Sequence, residues 1–67
     1  MKYKVTANEI DPSDLEYLCE KMKSLPQRYE VLWDVEDKQV FIEFNKQPTE
    51  LVLNFIRNKF NWKVEAV

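Results

Sequence analysis

Side chains that could carry out chemistry are few in this 67-residue chain. It has no histidine, only one cysteine, Cys19, and only two arginines, Arg28 and Arg57. A general base at neutral pH would have to be a carboxylate or a lysine with a strongly shifted pKa. Cys19 lies between Leu18 and Met22 in an apolar stripe, and no histidine is present to activate its thiol, so it is expected to have a packing role. We predict no catalytic residue and no enzymatic activity.

Residues that could bind a metal or cofactor are equally sparse. Zinc sites are built from histidines and several cysteines, and the chain has no pair of either. The two arginines are far apart in sequence and resemble no phosphate cradle, and there is no glycine for a phosphate-binding loop. We therefore predict neither a metal nor a cofactor. A lone cysteine and the lack of an apolar leader make the cytoplasm the default expectation for location.

Composition restricts the class of protein. The chain is 45% hydrophobic, which is too apolar for a disordered segment, and its length suits one domain over residues 1–67. Twelve acidic and ten basic residues give a formal charge of −2, whereas a nucleic-acid-binding domain is usually basic. No apolar run is long enough to cross a membrane, so no membrane partner is expected.

Alternating apolar and polar residues predict four strands, over residues 2–7, 29–36, 39–45 and 62–66. With Asp37 and Lys38 at a turn, the second and third strands form a hairpin whose apolar residues all fall on one face. The facing pairs are Val35 with Val40, Trp33 with Ile42, and Val31 with Phe44. A shift of one residue would move them to opposite faces, so the hairpin register is strongly specified.

Two helices are predicted, over residues 12–25 and 48–60, each opening at a proline. Asp11 is suited to cap the first helix, and Asn61 to end the second. Because the sequence has no glycine, Asn61 and Asp37 are also the best candidates for positive φ. The apolar residues of the first helix form one stripe, whereas those of the second cover roughly 200° of its circumference.

The order of elements is strand, helix, strand, strand, helix, strand, and its two halves are weakly similar around the two prolines. This pattern resembles the ferredoxin-like plait, an α+β fold. The resemblance implies a four-stranded antiparallel sheet in the order 4-1-3-2 with both helices on one face. The other face, here called the open face, would be uncovered. The fold hosts many unrelated functions and implies none.

Two surfaces are predicted to meet a partner. On the open face, Leu32 and Phe41 form a small apolar spot. On the second helix, either Leu53 with Phe60 or Leu51 with Phe55 should lie at the margin of what the sheet can cover. The leading hypothesis is a non-enzymatic protein–protein interaction or regulatory accessory module, with a homodimer as one version. The alternative for the helix flank is that it packs against the first helix.

Two further hypotheses remain open. One is binding of a small ligand or single-stranded nucleic acid on the open face. Phe41 is the only aromatic residue predicted there, and the carboxylates of the second strand would repel phosphate, which disfavours RNA. The other is a designed or engineered scaffold without a biological function.

Overall fold

The structure, a computed structural model, describes residues 1–67. Its six elements are β1 (Lys2–Thr6), α1 (Pro12–Ser24), β2 (Val31–Glu36), β3 (Gln39–Phe44), α2 (Glu50–Phe60) and β4 (Lys63–Ala66). The strands form one antiparallel sheet in the order β2-β3-β1-β4, which is the predicted order counted from the opposite edge. The predicted α+β architecture is confirmed, and the arrangement is that of a ferredoxin-like plait. Neither helix has the length and hydrophobicity that crossing a membrane requires.

Local sequence signals set the helix ends. The Asp11 carboxylate accepts hydrogen bonds at 2.9 Å from both the backbone N–H and the hydroxyl of Ser13, which lowers the pKa of that carboxyl below its ordinary value of 3.8. Helix α1 ends before Leu25, whose backbone is extended because Pro26 follows. Helix α2 begins at Glu50, two residues later than predicted, because the hydroxyl of Thr49 caps it by accepting from the Val52 N–H.

The β2–β3 hairpin has the predicted register. Trp33 faces Ile42, and the two flanking apolar pairs align as expected. Asp37 and Lys38 form the turn with φ of 52° and 63°, the mirror-image geometry that suits the twist of a hairpin. Strand β2 begins at Val31 and not at residue 29, because the Tyr29 N–H donates to the Met22 carbonyl at the end of α1.

A single cluster of 14 buried apolar residues lies between the sheet and the helices. Leu18, Ile42 and Ile56 at its centre have no exposed surface. Leu53 belongs to this core and is only 5% exposed, so the prediction that it lies at the margin of the sheet's coverage is wrong. Of the other predicted pair, Leu51 is exposed and Phe55 is half-buried. Helix α2 also meets α1, where Phe60 lies edge-on to Tyr17, so its apolar arc is wider than a sheet alone would cover.

Candidate functional site

The side chain of the one cysteine is part of the packing between α1 and β2. The Cys19 thiol donates a hydrogen bond to the Val31 carbonyl at 3.2 Å, and partial burial raises the pKa of that thiol above its ordinary value of 9.0, against the opposing effect of Lys23. No cluster of three or more His, Cys, Asp or Glu side chains is placed to hold a metal ion. The features that remain are on the surface, and the most pronounced is strand β2.

Strand β2 forms one edge of the sheet and exposes three large apolar side chains. Leu32 is 71% exposed, Trp33 38% and Val35 55%. Helix α1 packs beside the beginning of the strand, where Val31 is buried, but leaves the second half of the strand uncovered. Trp33 and Val35 project on the helix side of the sheet, and Leu32 projects on the open face. The unpaired side of Val31–Glu36 is called the β2 edge below.

The backbone of β2 presents an unpaired hydrogen-bonding position. The Asn45 N–H donates to the Glu30 carbonyl, so the even-numbered residues of β2 pair with β3 and the odd-numbered ones direct their N–H and C=O groups away from the sheet. Two of these outward groups have partners. The Val31 carbonyl accepts from Cys19, and the Val35 N–H donates to the Asp34 carboxylate at 2.9 Å. Trp33, midway between them, directs both of its backbone groups to solvent.

The opposite edge of the sheet is better covered. Strand β4 has four residues, and the side chain of Val64 at its centre is buried. The outward Val64 carbonyl accepts a hydrogen bond from the Arg57 guanidinium at 3.0 Å. Arg57 belongs to α2 and is also 3.8 Å from the Glu50 carboxylate. Of the two edges, only β2 combines large exposed apolar side chains with a free backbone position at the middle of the strand.

Charge distinguishes the β2 edge further. Glu30, Asp34 and Glu36 follow one another on the open-face side of the strand, and all three are exposed. The ion pairs of the structure, Arg57 with Glu50 and Lys63 with Glu65, both lie elsewhere. None of the three carboxylates forms an ion pair with a cation of this chain, although Lys2 borders the same shallow hollow of the open face as Asp34.

Comparison with known proteins adds no assignment. No protein-family model matches this chain, and neither a curated protein nor a solved structure matches it. The surface must therefore be interpreted from its own geometry.

The four predicted contact residues fall in different environments. Leu32 is exposed, and Phe41, diagonally across from it on β3, is half-buried beneath the Lys2 ammonium, 4.9 Å from the ring centroid. Leu53 is in the core. Phe60 is half-buried, stacked on Trp62 at 4.3 Å and edge-on to Tyr17 at 6.0 Å, so part of the helix flank packs against α1 as the alternative held. Only Leu32 and Phe41 lie together.

Trp33 and Val35 were not predicted as contact residues, because alternation places both on the face that the helices cover. The placement on that face is right, but the helices do not extend over this end of β2. The predicted strand order gave one indication of this exposure, since it places the second strand at the edge of the sheet, where the helices cover side chains least.

A second apolar surface lies between the end of α1 and the start of α2. It is a groove of about 330 Å³ bordered by Met22, Leu25, Val52 and Phe55. Leu51 stands at its rim and is 82% exposed. Lys21 is its only charged residue, so the groove carries no charge pattern that would select a partner.

Proposed function

We propose that this protein is a non-enzymatic interaction module that binds an extended segment of another protein as an additional strand along the β2 edge. The observation that carries the proposal is the outward backbone of Trp33, flanked by the exposed side chains of Leu32 and Val35. In strand addition, backbone hydrogen bonds supply affinity, and pockets for alternate side chains supply specificity. A cytoplasmic location accompanies the proposal, because a reducing compartment keeps the Cys19 thiol free.

Exposed apolar residues on an edge strand are otherwise a liability. Soluble proteins usually protect such edges with charges, bulges or covering loops, since an open edge templates aggregation. Complete burial of a Val, Leu or Phe side chain contributes about 1.5–3 kcal/mol. An incoming strand would bury parts of Leu32, Trp33 and Val35 together, and would satisfy the backbone of Trp33 as well. This edge therefore combines the two sources of affinity that strand addition requires.

The rival is binding of a small ligand or single-stranded nucleic acid on the open face. In its favour, Lys2 and Lys4 lie beside Phe41, the aromatic residue of that face. Against it, Phe41 is directly paired with Asp34 across the hairpin, and Glu43 lies two residues further along β3. Carboxylates at these positions repel phosphate, so strand addition is the better-supported function.

A selection experiment tests the proposal without knowledge of the natural partner. A random-peptide display library is selected on the wild-type protein, and the enriched peptides are assayed against Trp33→Pro and Ala66→Pro. Proline at residue 33 removes an outward N–H but no ladder hydrogen bond, so edge strands tolerate it. Ala66→Pro is the matched control, because the Ala66 N–H points outward from β4. We expect binding to survive in Ala66→Pro and to be lost in Trp33→Pro.

Amide chemical shifts locate the bound peptide. The proposal expects perturbations concentrated in residues 31–36, with the folded spectrum of each variant as the control for structure. If Trp33→Pro fails to fold, Val35→Pro replaces it, since the Val35 N–H also lies outside the ladder. The proposal would be wrong if the library yielded no peptide that binds along the β2 edge. Shifts at Lys2, Lys4 and Phe41 on titration with RNA, single-stranded DNA or metabolites would favour the rival.

A further inference from the structure

The β2 edge presents two chemically different rows of side chains. On the helix side, Trp33 and Val35 form an apolar row. On the open face, Glu30, Asp34 and Glu36 form an acidic row interrupted only by Leu32. Because successive residues of a strand point to opposite faces, an added strand would place alternate side chains beside each row.

The acidic row has no compensating charge from the neighbouring strand. Across the hairpin, Glu36 pairs with Gln39, Asp34 with Phe41 and Leu32 with Glu43, so β3 contributes another carboxylate and no cation. On the next strand, Lys2 holds its ammonium over the Phe41 ring. Lys2 borders the same hollow as Asp34 but forms no ion pair with it, so the three carboxylates of the row are free to pair with a cation of an added strand.

Resting on the proposed function, we propose that the segment bound at the β2 edge is an alternating basic and apolar strand of another protein. Its apolar residues pack against Trp33 and Val35, and its Lys or Arg residues lie beside Glu30, Asp34 and Glu36. Opposite charges across neighbouring strands stabilise pairing, and like charges oppose it. The same rule disfavours a second copy of this chain at this edge, since its β2 carries the same carboxylates.

Asp34 can accept the Val35 N–H and contact a cation of a bound strand at the same time. One of its carboxylate oxygens accepts the Val35 N–H at 2.9 Å, and the side chain is exposed, so its other oxygen is accessible to a cation. Replacement of Asp34 by asparagine keeps an oxygen acceptor for the Val35 N–H and removes the charge. Asp34→Asn therefore separates the contribution of charge from that of local backbone structure.

The test uses three nine-residue peptides with blocked ends, followed by fluorescence anisotropy and by amide shifts of the protein. One peptide alternates Val with Lys, the second replaces each Lys with Gln, and the third replaces each Lys with Glu.

We expect the Lys peptide to bind most tightly at residues 31–36 and its affinity to fall as salt is added. Asp34→Asn should weaken the Lys peptide about two- to fivefold, the range for one exposed ion pair, and leave the Gln peptide unchanged. Glu16→Gln on the exposed side of α1 is the control of equal charge.

The outcomes separate this inference from the function on which it rests. If the Gln peptide binds the β2 edge as tightly as the Lys peptide, the basic character of the partner is wrong and strand addition stands. If the Lys peptide perturbs another acidic surface, or if no peptide binds, the inference is overturned. Strand addition is then decided by the library selection alone.

Discussion

Four residues of this glycine-free chain adopt the left-handed backbone conformation. They are Arg28, Asp37, Lys38 and Asn61, with φ between 52° and 63°. Outside glycine this conformation costs roughly 1–2 kcal/mol, and less for Asn and Asp, whose short side chains bond locally. The cost falls most heavily on Arg28 and Lys38, which have no such side chain. Backbone strain is thus concentrated at the loop before β2 and at the turn after it.

Replacement of Lys38 by glycine should stabilise the protein. Glycine relieves the left-handed strain at the second turn position, and Asp-Gly is a preferred pair for this turn, whereas its greater freedom in the unfolded chain offsets part of the gain. We expect the free energy of unfolding in urea to rise by about 0.5–1 kcal/mol. Gln39→Gly, one residue further into β3, is the control and should lower it by a similar amount. A loss of stability in Lys38→Gly would contradict the assigned turn geometry.

Side-chain type explains which of the four left-handed residues could be predicted from the sequence. Asn61 and Asp37 were predicted because their types favour positive φ and because they stand at a helix end and at a hairpin tip. Arg28 and Lys38 were not predicted, since nothing in their side chains favours the conformation. At Lys38 it is imposed by the two-residue turn that the hairpin register requires, and therefore by pairing between residues that are distant from the turn.

At the level of elements, periodicity specifies which face a side chain occupies but not how far a neighbouring element extends. Alternation assigned Trp33 and Val35 to the helix side correctly, yet Val35 is exposed and Trp33 is only partly covered. The error at Leu53 is the reverse, because the breadth of the apolar arc of α2 was predicted, whereas packing of that flank against α1 was stated only as the alternative. The element order and the hairpin register could be predicted because they depend on local sequence pattern. The candidate site could not, because it depends on how far α1 extends over β2.

Helix α2 allows a direct comparison of two leucines on one element. Leu53 is 5% exposed and Leu51 82%, so truncation removes core packing at the first and almost none at the second. We expect Leu53→Ala to lower the free energy of unfolding by about 2–5 kcal/mol. Leu51→Ala should change it by less than about 0.5 kcal/mol. Leu53→Val is the milder substitute if the alanine variant does not fold, and equal effects at both sites would refute the described packing.

For the whole molecule, the two sheet edges determine whether copies associate. Arg57 occupies the Val64 carbonyl on the β4 edge, whereas at the β2 edge the backbone of Trp33 is free and the flanking carboxylates oppose self-pairing. Antiparallel pairing of two β2 strands about Trp33 would set Glu36 of each copy opposite Glu30 of the other. Like charges directly opposite each other destabilise a strand pair. A homodimer through this edge is therefore opposed by two repulsive contacts, although its apolar side chains and free backbone favour it.

Removal of that repulsion should make the protein self-associate through β2. We expect the double variant Glu30→Gln/Glu36→Gln to form dimers in a concentration series by sedimentation velocity, and the wild type to stay monomeric. Glu16→Gln/Glu20→Gln, an equal charge change on the exposed side of α1, is the matched control and should behave like the wild type. Addition of Trp33→Pro to the first pair should restore the monomer, because it removes the outward N–H at the centre of the pairing. A wild-type dimer that persists in Trp33→Pro would instead place self-association on another surface, and the acidic row would then have no protective role.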